Sequence, residues 1–302
     1  MTVPPSVELV EVSPRDGLQN ETVALSTHDK IALIRRADAA GLPRIEIASF
    51  VHPGRVPRMA DAEAVCAGVG SLRAATVGLV LNRRGAERAL ATQVDELGAV
   101  AVATDGFGLA NQGRRAQETV EDAVDILRMA SAAGRRGQVT ISVAFGCPFE
   151  GEVPASRVAA IARQLADGGA REIALGDTIG VATPADIRRV LAAVRDAAPR
   201  VALRLHAHDT RNTAVANAWA AMEMGVAILD ASIAGLGGCP FAPGATGNLP
   251  AEDLLYTLDR AAVRTGVSLA AVTATSRWLS VRMGRELPGK VARVTAFPAG
   301  DS

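Results

Sequence analysis

A chain of 302 residues with 49% hydrophobic and 21% charged positions carries enough apolar material for one large α/β core, and its 32 basic side chains balance its 32 acidic ones. No basic run interleaved with aromatics occurs, so neither nucleic acid nor an anionic membrane surface is expected as partner, and no apolar stretch approaches the ~18 residues a membrane helix needs. Lysine is confined to Lys30 and Lys290 against thirty arginines, which argues against an imine-forming aldolase, a carbamylated-lysine metal bridge and a Gly-Lys-Ser/Thr phosphate loop.

Short β-branched runs alternate with helical patterns from one end to the other. The strands read as Val7–Val12, Arg44–Ala48, Ala74–Leu79, Ala99–Ala103, Gln138–Phe145, Glu172–Leu175, Val201–His206 and Val226–Ser232. Between the first two lies a helix over Ser26–Ala40, with Ser26 or Thr27 as N-cap and Gly41 as its stop. Pro154–Asp167 presents Val158, Ile161, Ala162 and Leu165 on one apolar face. Eight β-then-α units over about 250 residues match the size of a closed (β/α)8 TIM barrel, with an open doubly wound sheet as the alternative. A helix over Leu269–Arg285 then forms part of a short C-terminal appendage (267–302), and residues 1–302 read as one catalytic domain. The N-terminus lacks a charged segment followed by an apolar one, and Cys66, Cys147 and Cys239 are odd in number and far apart. Both features lead us to expect a cytoplasmic protein with reduced thiols.

A barrel places functional groups just past its strands, and candidates appear there. Strand 7 ends in His206-Ala-His208; alternation puts both imidazoles on one face with Arg204, while Leu203 and Leu205 take the apolar face. On its own such a pair is more often chance than a metal site, but the chain has only four histidines and further candidate ligands stand at other strand ends. Arg15-Asp16 follows strand 1, where an ordinary solvated ion pair is the bland alternative. Glu46 sits between Ile45 and Ile47 on strand 2, so its carboxylate faces the lumen, with Arg15 or Arg204 as the expected partner. Asp209 reads as a helix cap, whereas Asp177 at the end of strand 6 stays open between cap and site residue. Past strand 8 comes a glycine-dense loop containing Cys239, then Asn248. Such a loop suits a lid, and a cysteine placed there is more plausibly reactive than inert. Asp16, His206, His208 and Asn248 together offer a mixed N/O set suited to Mg²⁺ or Mn²⁺, with Zn²⁺, Co²⁺ and iron also compatible.

The motifs Glu11-Val-Ser-Pro-Arg-Asp-Gly-Leu-Gln-Asn-Glu21, Phe145-Gly-Cys-Pro-Phe-Glu-Gly151, Leu175-Gly-Asp-Thr-Ile-Gly180, His206-Ala-His-Asp-Thr210 and Ala234-Gly-Leu-Gly-Gly-Cys-Pro240 with Gly247-Asn248 resemble the 3-hydroxy-3-methylglutaryl-CoA lyases. These belong to the wider metallolyase group of (β/α)8 barrels. The resemblance implies retro-Claisen cleavage of an acyl-CoA to acetyl-CoA and acetoacetate, as in leucine degradation. It further implies a divalent cation on Asp16, His206, His208 and Asn248, with Arg15 stabilising the enolate. Cys239 would act from the closing loop, Glu46 would be a supporting acid/base residue, and Glu11, Asp177 and Glu252 would lie in or near the site. A homodimer is expected by the same analogy.

Three segments depart from the family pattern: Thr104–Gly113, where Asn111 alone matches, Thr22, and Gly54-Arg55. They border the expected substrate channel, so the acyl group is open, a citramalyl-CoA included. With lysine scarce, Arg55 and Arg58 become candidates for the CoA phosphates. Two further readings compete: a Claisen synthase joining acetyl-CoA to a 2-oxo acid, and a catalytically silent scaffold. The cysteine loop favours a lyase over the first, and the full set of ligand types speaks against the second.

Overall fold

The computed structural model describes residues 3–238 and 247–295. Eight parallel strands pair in chain order and close on themselves: β1 (Glu8–Glu11), β2 (Arg44–Ser49), β3 (Ala75–Val80), β4 (Glu96–Val102), β5 (Arg136–Ser142), β6 (Glu172–Asp177), β7 (Ala202–Ala207) and β8 (Ile228–Ala231). Closure runs from Glu8 opposite Ile228 to Glu11 opposite Ala231. The expected (β/α)8 barrel is present, and all eight strands fall where the alternating pattern put them, with shifted ends.

The helices wrap the barrel: α1 (Thr27–Ala39), α2 (Ala62–Val69), α3 (Arg83–Leu90), α4 (Asp105–Asn111), α5 (Ala116–Ala132), α6 (Ala155–Asp167), α7 (Pro184–Ala197), α8 (Ala214–Glu223), α9 (Ala251–Arg260) and α10 (Leu269–Met283). Their starts follow local chemistry. The Ser26 hydroxyl accepts the Asp29 amide at 3.1 Å, and Thr183 and Asp186 cap α7 reciprocally with Pro184 in its first turn. On α6, Val158, Ile161, Ala162 and Leu165 are buried against the barrel, as their spacing demands. The appended α10 buries Val272, Leu279 and Met283 and ends at Gly284 in the left-handed region.

Outward-facing strand residues such as Ile45, Ile141, Ile173 and Leu205 build the apolar shell between sheet and helices. The lumen is different. Its lower part is an ion cluster, exposed on the Glu8 side, in which Arg44 pairs with Glu8 at 2.8 Å, Glu172 at 2.9 Å and Glu96 at 3.3 Å. Removing Arg44 would take from the buried Glu96 a cation that the interior holds beside it. This plug fixes the floor beneath the strand ends, where the lumen opens. No helix of the described residues is long and apolar enough to cross a membrane.

Candidate active site

After β1 the chain makes one wide helical turn over Ser13–Gly17, which carries Arg15 and Asp16 to the barrel mouth. Arg15 bridges two carboxylates: its Nε and NH2 reach Glu46 Oε2 at 2.7 and 2.6 Å, and its NH1 reaches Asp16 Oδ1 at 2.6 Å. Glu46 therefore faces the lumen as alternation requires, and its partner is Arg15, not Arg204. Although burial disfavours the guanidinium's charge, the carboxylates of Glu46 and Asp16 outweigh it and raise its pKa.

Asp16 Oδ2 looks the other way, toward His206 Nε2 at 3.9 Å and His208 Nε2 at 3.8 Å. The two Nε2 atoms are 3.2 Å apart. Ligand atoms from Asp16, His206 and His208 lie within 4.8 Å of one another, a spacing one ion can bridge. Burial pushes the Asp16 carboxyl up, but Arg15 first and then the two histidines hold it well below the ordinary carboxylate range. Burial and the neighbouring His206 depress His208 to about 4, so its ring is neutral and a lone pair is available near pH 7.

Asn248 reaches this point because its backbone bridges His208, with Asp209 N donating to Gly247 O and Leu249 N to Ala207 O, both at 2.9 Å. Gly247 is required by space: a Cβ there would stand 1.7 Å from the Gly235 carbonyl oxygen. The Asn248 amide nitrogen donates to Asp16 Oδ2 at 2.8 Å and to Leu236 O at 3.1 Å, leaving its oxygen buried without a partner among the described residues. The Asp16 carboxylate and two close imidazole nitrogens, with the Asn248 amide against the same carboxylate and its oxygen still unpaired, form a donor set that fits a bound cation.

The remaining expected residues do different things. Both Asp177 oxygens accept backbone amides, from Val181 at 2.9 Å and Ala182 at 3.1 Å, and burial lifts its pKa to about 6. It shapes the loop after β6, and Thr178 beside it lines the cavity instead. Asp209 Oδ1 accepts the Ala214 amide at the start of α8, in keeping with a capping role. Glu11 accepts from the Ser13 and Ile233 amides at 2.7 and 3.1 Å, and Glu252 accepts from the Ala234 amide at 2.9 Å and the Ser276 hydroxyl at 2.7 Å. These two buried carboxylates clamp the turn at Ala234, whose φ of 66° is costly without a glycine. Cys239 lies outside the described residues.

A cavity of about 150 Å³ opens at the mouth, lined by the apolar Val10, Val77, Leu79 and Val100 together with Arg15, Asp16, His206 and His208. Neither lysine lines it: Lys30 pairs with Asp61 at 2.5 Å and Lys290 donates to Asn212. Val51, Val56, Leu81 and Asn111 are shared with a larger groove of about 860 Å³ that also contains Arg55 and Arg84. Arg58 is committed elsewhere, donating to the Glu21 and Thr22 carbonyls at 3.0 and 2.6 Å.

Comparison with known proteins settles the lineage. Residues 6–279 match the HMGL-like family model. The chain belongs to the HMGL-like family. Relatives include the (R)-citramalyl-CoA lyase of Chloroflexus aurantiacus, 42% identical over 95% of this chain and 94% of that protein. The crystal structure of hydroxymethylglutaryl-CoA lyase from Pseudomonas aeruginosa superposes with a TM-score of 0.93 at 40% identity, covering 97% of this chain and 98% of that one. An HMG-CoA lyase from Acinetobacter baumannii, solved with coenzyme A and 3-methylmalate, gives 0.92 at 34% identity over 100% and 99%. As a member of the HMGL-like family, the chain is a lyase.

One lumen residue of this HMGL-like barrel is absent from the sequence reading. Asp230 on β8 contacts His206, and Arg204, placed in the lumen by alternation, pairs with Asp230 and Glu172 rather than Glu46. The alternation argument that selects Glu46 selects Asp230 equally, since it is a lone carboxylate between Leu229 and Ala231 on a buried strand.

Proposed function

We propose that this protein is a divalent-metal-dependent carbon–carbon lyase that cleaves 3-hydroxy-3-methylglutaryl-CoA, or a close 3-hydroxyacyl-CoA, to acetyl-CoA and acetoacetate by retro-Claisen chemistry. The observation that carries this reading is the double use of Asp16, which meets Arg15 through one oxygen and faces two imidazoles through the other. Cation site and guanidinium thereby converge on one small cavity.

Asp16, His206, His208 and Asn248 would hold the ion. When bound it supplies a Lewis acid that polarises substrate oxygens. Arg15 donates to the thioester oxygen, where negative charge grows as the bond breaks. A base takes the C3 hydroxyl proton, the C3–O⁻ pair becomes a carbonyl, and the C2–C3 pair moves onto C2 as the thioester enolate. Protonation of C2 completes acetyl-CoA, with Cys239 acting from the glycine loop. Glu46 holds Arg15 in place, and Asp177 holds the loop that brings Thr178 to the cavity. The valine and leucine wall keeps water from the enolate.

The adjoining groove suits the CoA handle. Arg55 and Arg84 line it without an acidic partner among the described residues, and the coenzyme A complex of the Acinetobacter baumannii relative supports an acyl-CoA ligand. On this reading residues 1–302 form one catalytic unit, working in the cytoplasm as a homodimer in branched-acid breakdown such as that of leucine.

A second reading, cleavage of (R)-citramalyl-CoA to acetyl-CoA and pyruvate, is favoured by the 42% identical relative of that name. Both substrates present a thioester-CH2-C(OH)(CH3) core and differ by one methylene before the distal carboxylate, a difference worth about 1–3 kcal/mol of discrimination. Incubating the protein with each thioester and measuring acetoacetate and pyruvate separates them. EDTA should abolish acetyl-CoA release and Mg²⁺ or Mn²⁺ restore it. Release that ignores chelation, or no cleavage of either thioester, refutes the proposal.

A further inference from the structure

The inward-facing side of β6, β7 and β8 carries a chain of alternating charges that ends on a candidate metal ligand. Glu172, held by Arg44 at 2.9 Å, meets Arg204 at 3.3 Å; Arg204 Nε meets Asp230 Oδ1 at 3.3 Å; and Asp230 Oδ2 stands 3.0 Å from His206 Nδ1. Strand register is consistent with this contact. Arg204 lies opposite Ile228 and Leu205 opposite Leu229, which brings His206 and Asp230, the next residue of each strand, alongside one another. Asp230 is 4% exposed and His206 8%, so water does not substitute readily for either partner.

We infer that Asp230 is the positioning residue of the cation site, fixing the proton of His206 on Nδ1 so that the Nε2 lone pair faces Asp16 and His208. The reason is chemical. An ionised carboxylate only accepts hydrogen bonds, so a neutral imidazole against it must place its single N–H at Nδ1. Arg204 stands against that carboxylate and prevents it from swinging, because its own guanidinium is tied to the Glu172–Arg44 plug below. His208 has no such orienter, since its Nδ1 is buried without a partner among the described residues. The two histidines therefore differ: His206 is a preset ligand, and His208 is placed by its backbone bridge to Asn248.

This inference rests on the cation reading above, and the test keeps the two apart. Metal-free protein is titrated with Mn²⁺ by calorimetry, as wild type and as Asp230→Asn, with Asp230→Glu as the conservative rescue. We expect a 10- to 100-fold weaker affinity for Asp230→Asn and partial recovery with Asp230→Glu. Equal Mn²⁺ affinity in wild type and Asp230→Asn overturns the role of Asp230 alone, whereas a wild type that binds no Mn²⁺ overturns the cation reading along with it. Should Asp230→Asn fail to fold, ¹⁵N-histidine spectra of the wild type decide: with four histidines in the chain, His206 is assignable. In the neutral ring at alkaline pH a protonated Nδ1 supports the inference, and a protonated Nε2 overturns it.

Discussion

Glu11→Gln is the substitution whose size follows most directly from the structure. Glu11 is fully buried at the end of β1, with one oxygen accepting two amides and the other, Oε2, without a partner among the described residues. Burial raises its pKa from 4.5 to about 7. Between those two values the folded state holds a proton that the unfolded chain has lost, so the contribution of Glu11 is fully present below pH 4.5 and is lost as pH rises through 7. The rise corresponds to about 3 kcal/mol at most. Glutamine keeps the accepting oxygen and stays neutral at every pH. Urea unfolding followed by the fluorescence of Trp219 and Trp278 should give similar stabilities for the two proteins at pH 5. At pH 8 the variant should be more stable by about 3 kcal/mol. The same stability difference at both pH values would refute the assignment of a buried, proton-holding carboxyl.

Three further outcomes are expected. Arg15→Met leaves Glu46 and Asp16 without their shared cation, and kcat should fall about 100- to 1,000-fold while the far-ultraviolet circular dichroism of the barrel is retained; a near-normal kcat removes Arg15 from the chemistry. Gly247→Ala forces a Cβ into the Gly235 carbonyl and shifts Asn248, for which a loss of about 100-fold in kcat/KM is expected, and full activity contradicts the packing described. Cys239→Ala should lower turnover of the thioester with little change in Mn²⁺ affinity, and unchanged turnover excludes the thiol from the reaction.

The barrel was legible because each strand is a short β-branched run and each helix has a cap or a periodic face. Strand ends were not. β4 begins at Glu96 and β5 at Arg136, three and two residues earlier than the apolar alternation indicates, because their first residues feed the ion cluster at the lumen floor. A charged lumen defeats a rule that equates burial with hydrophobicity. β5 stops at Ser142, short of Phe145, since Val143 takes a φ of 51° and leaves the sheet. In the site, positions set by strand alternation, namely Glu46, His206 and His208, were readable from spacing. The partner of Glu46 was not, because only the turn at Ser13–Gly17 decides that Arg15 reaches it before Arg204 does. For Asp177, Glu11 and Glu252 the sequence marks a neighbourhood, but their work of holding backbone amides depends on loop conformation, which carries no local signature.

Crystals of the protein soaked with Mn²⁺ give the most direct test of the central claim, that groups from the first, seventh and eighth units grip one cation. Anomalous scattering should place a single peak about 2.0–2.3 Å from Nε2 of both His206 and His208 and from an Asp16 oxygen. A peak elsewhere, or an ordered site whose imidazoles stay hydrogen-bonded to each other with no ion between them, would contradict the account.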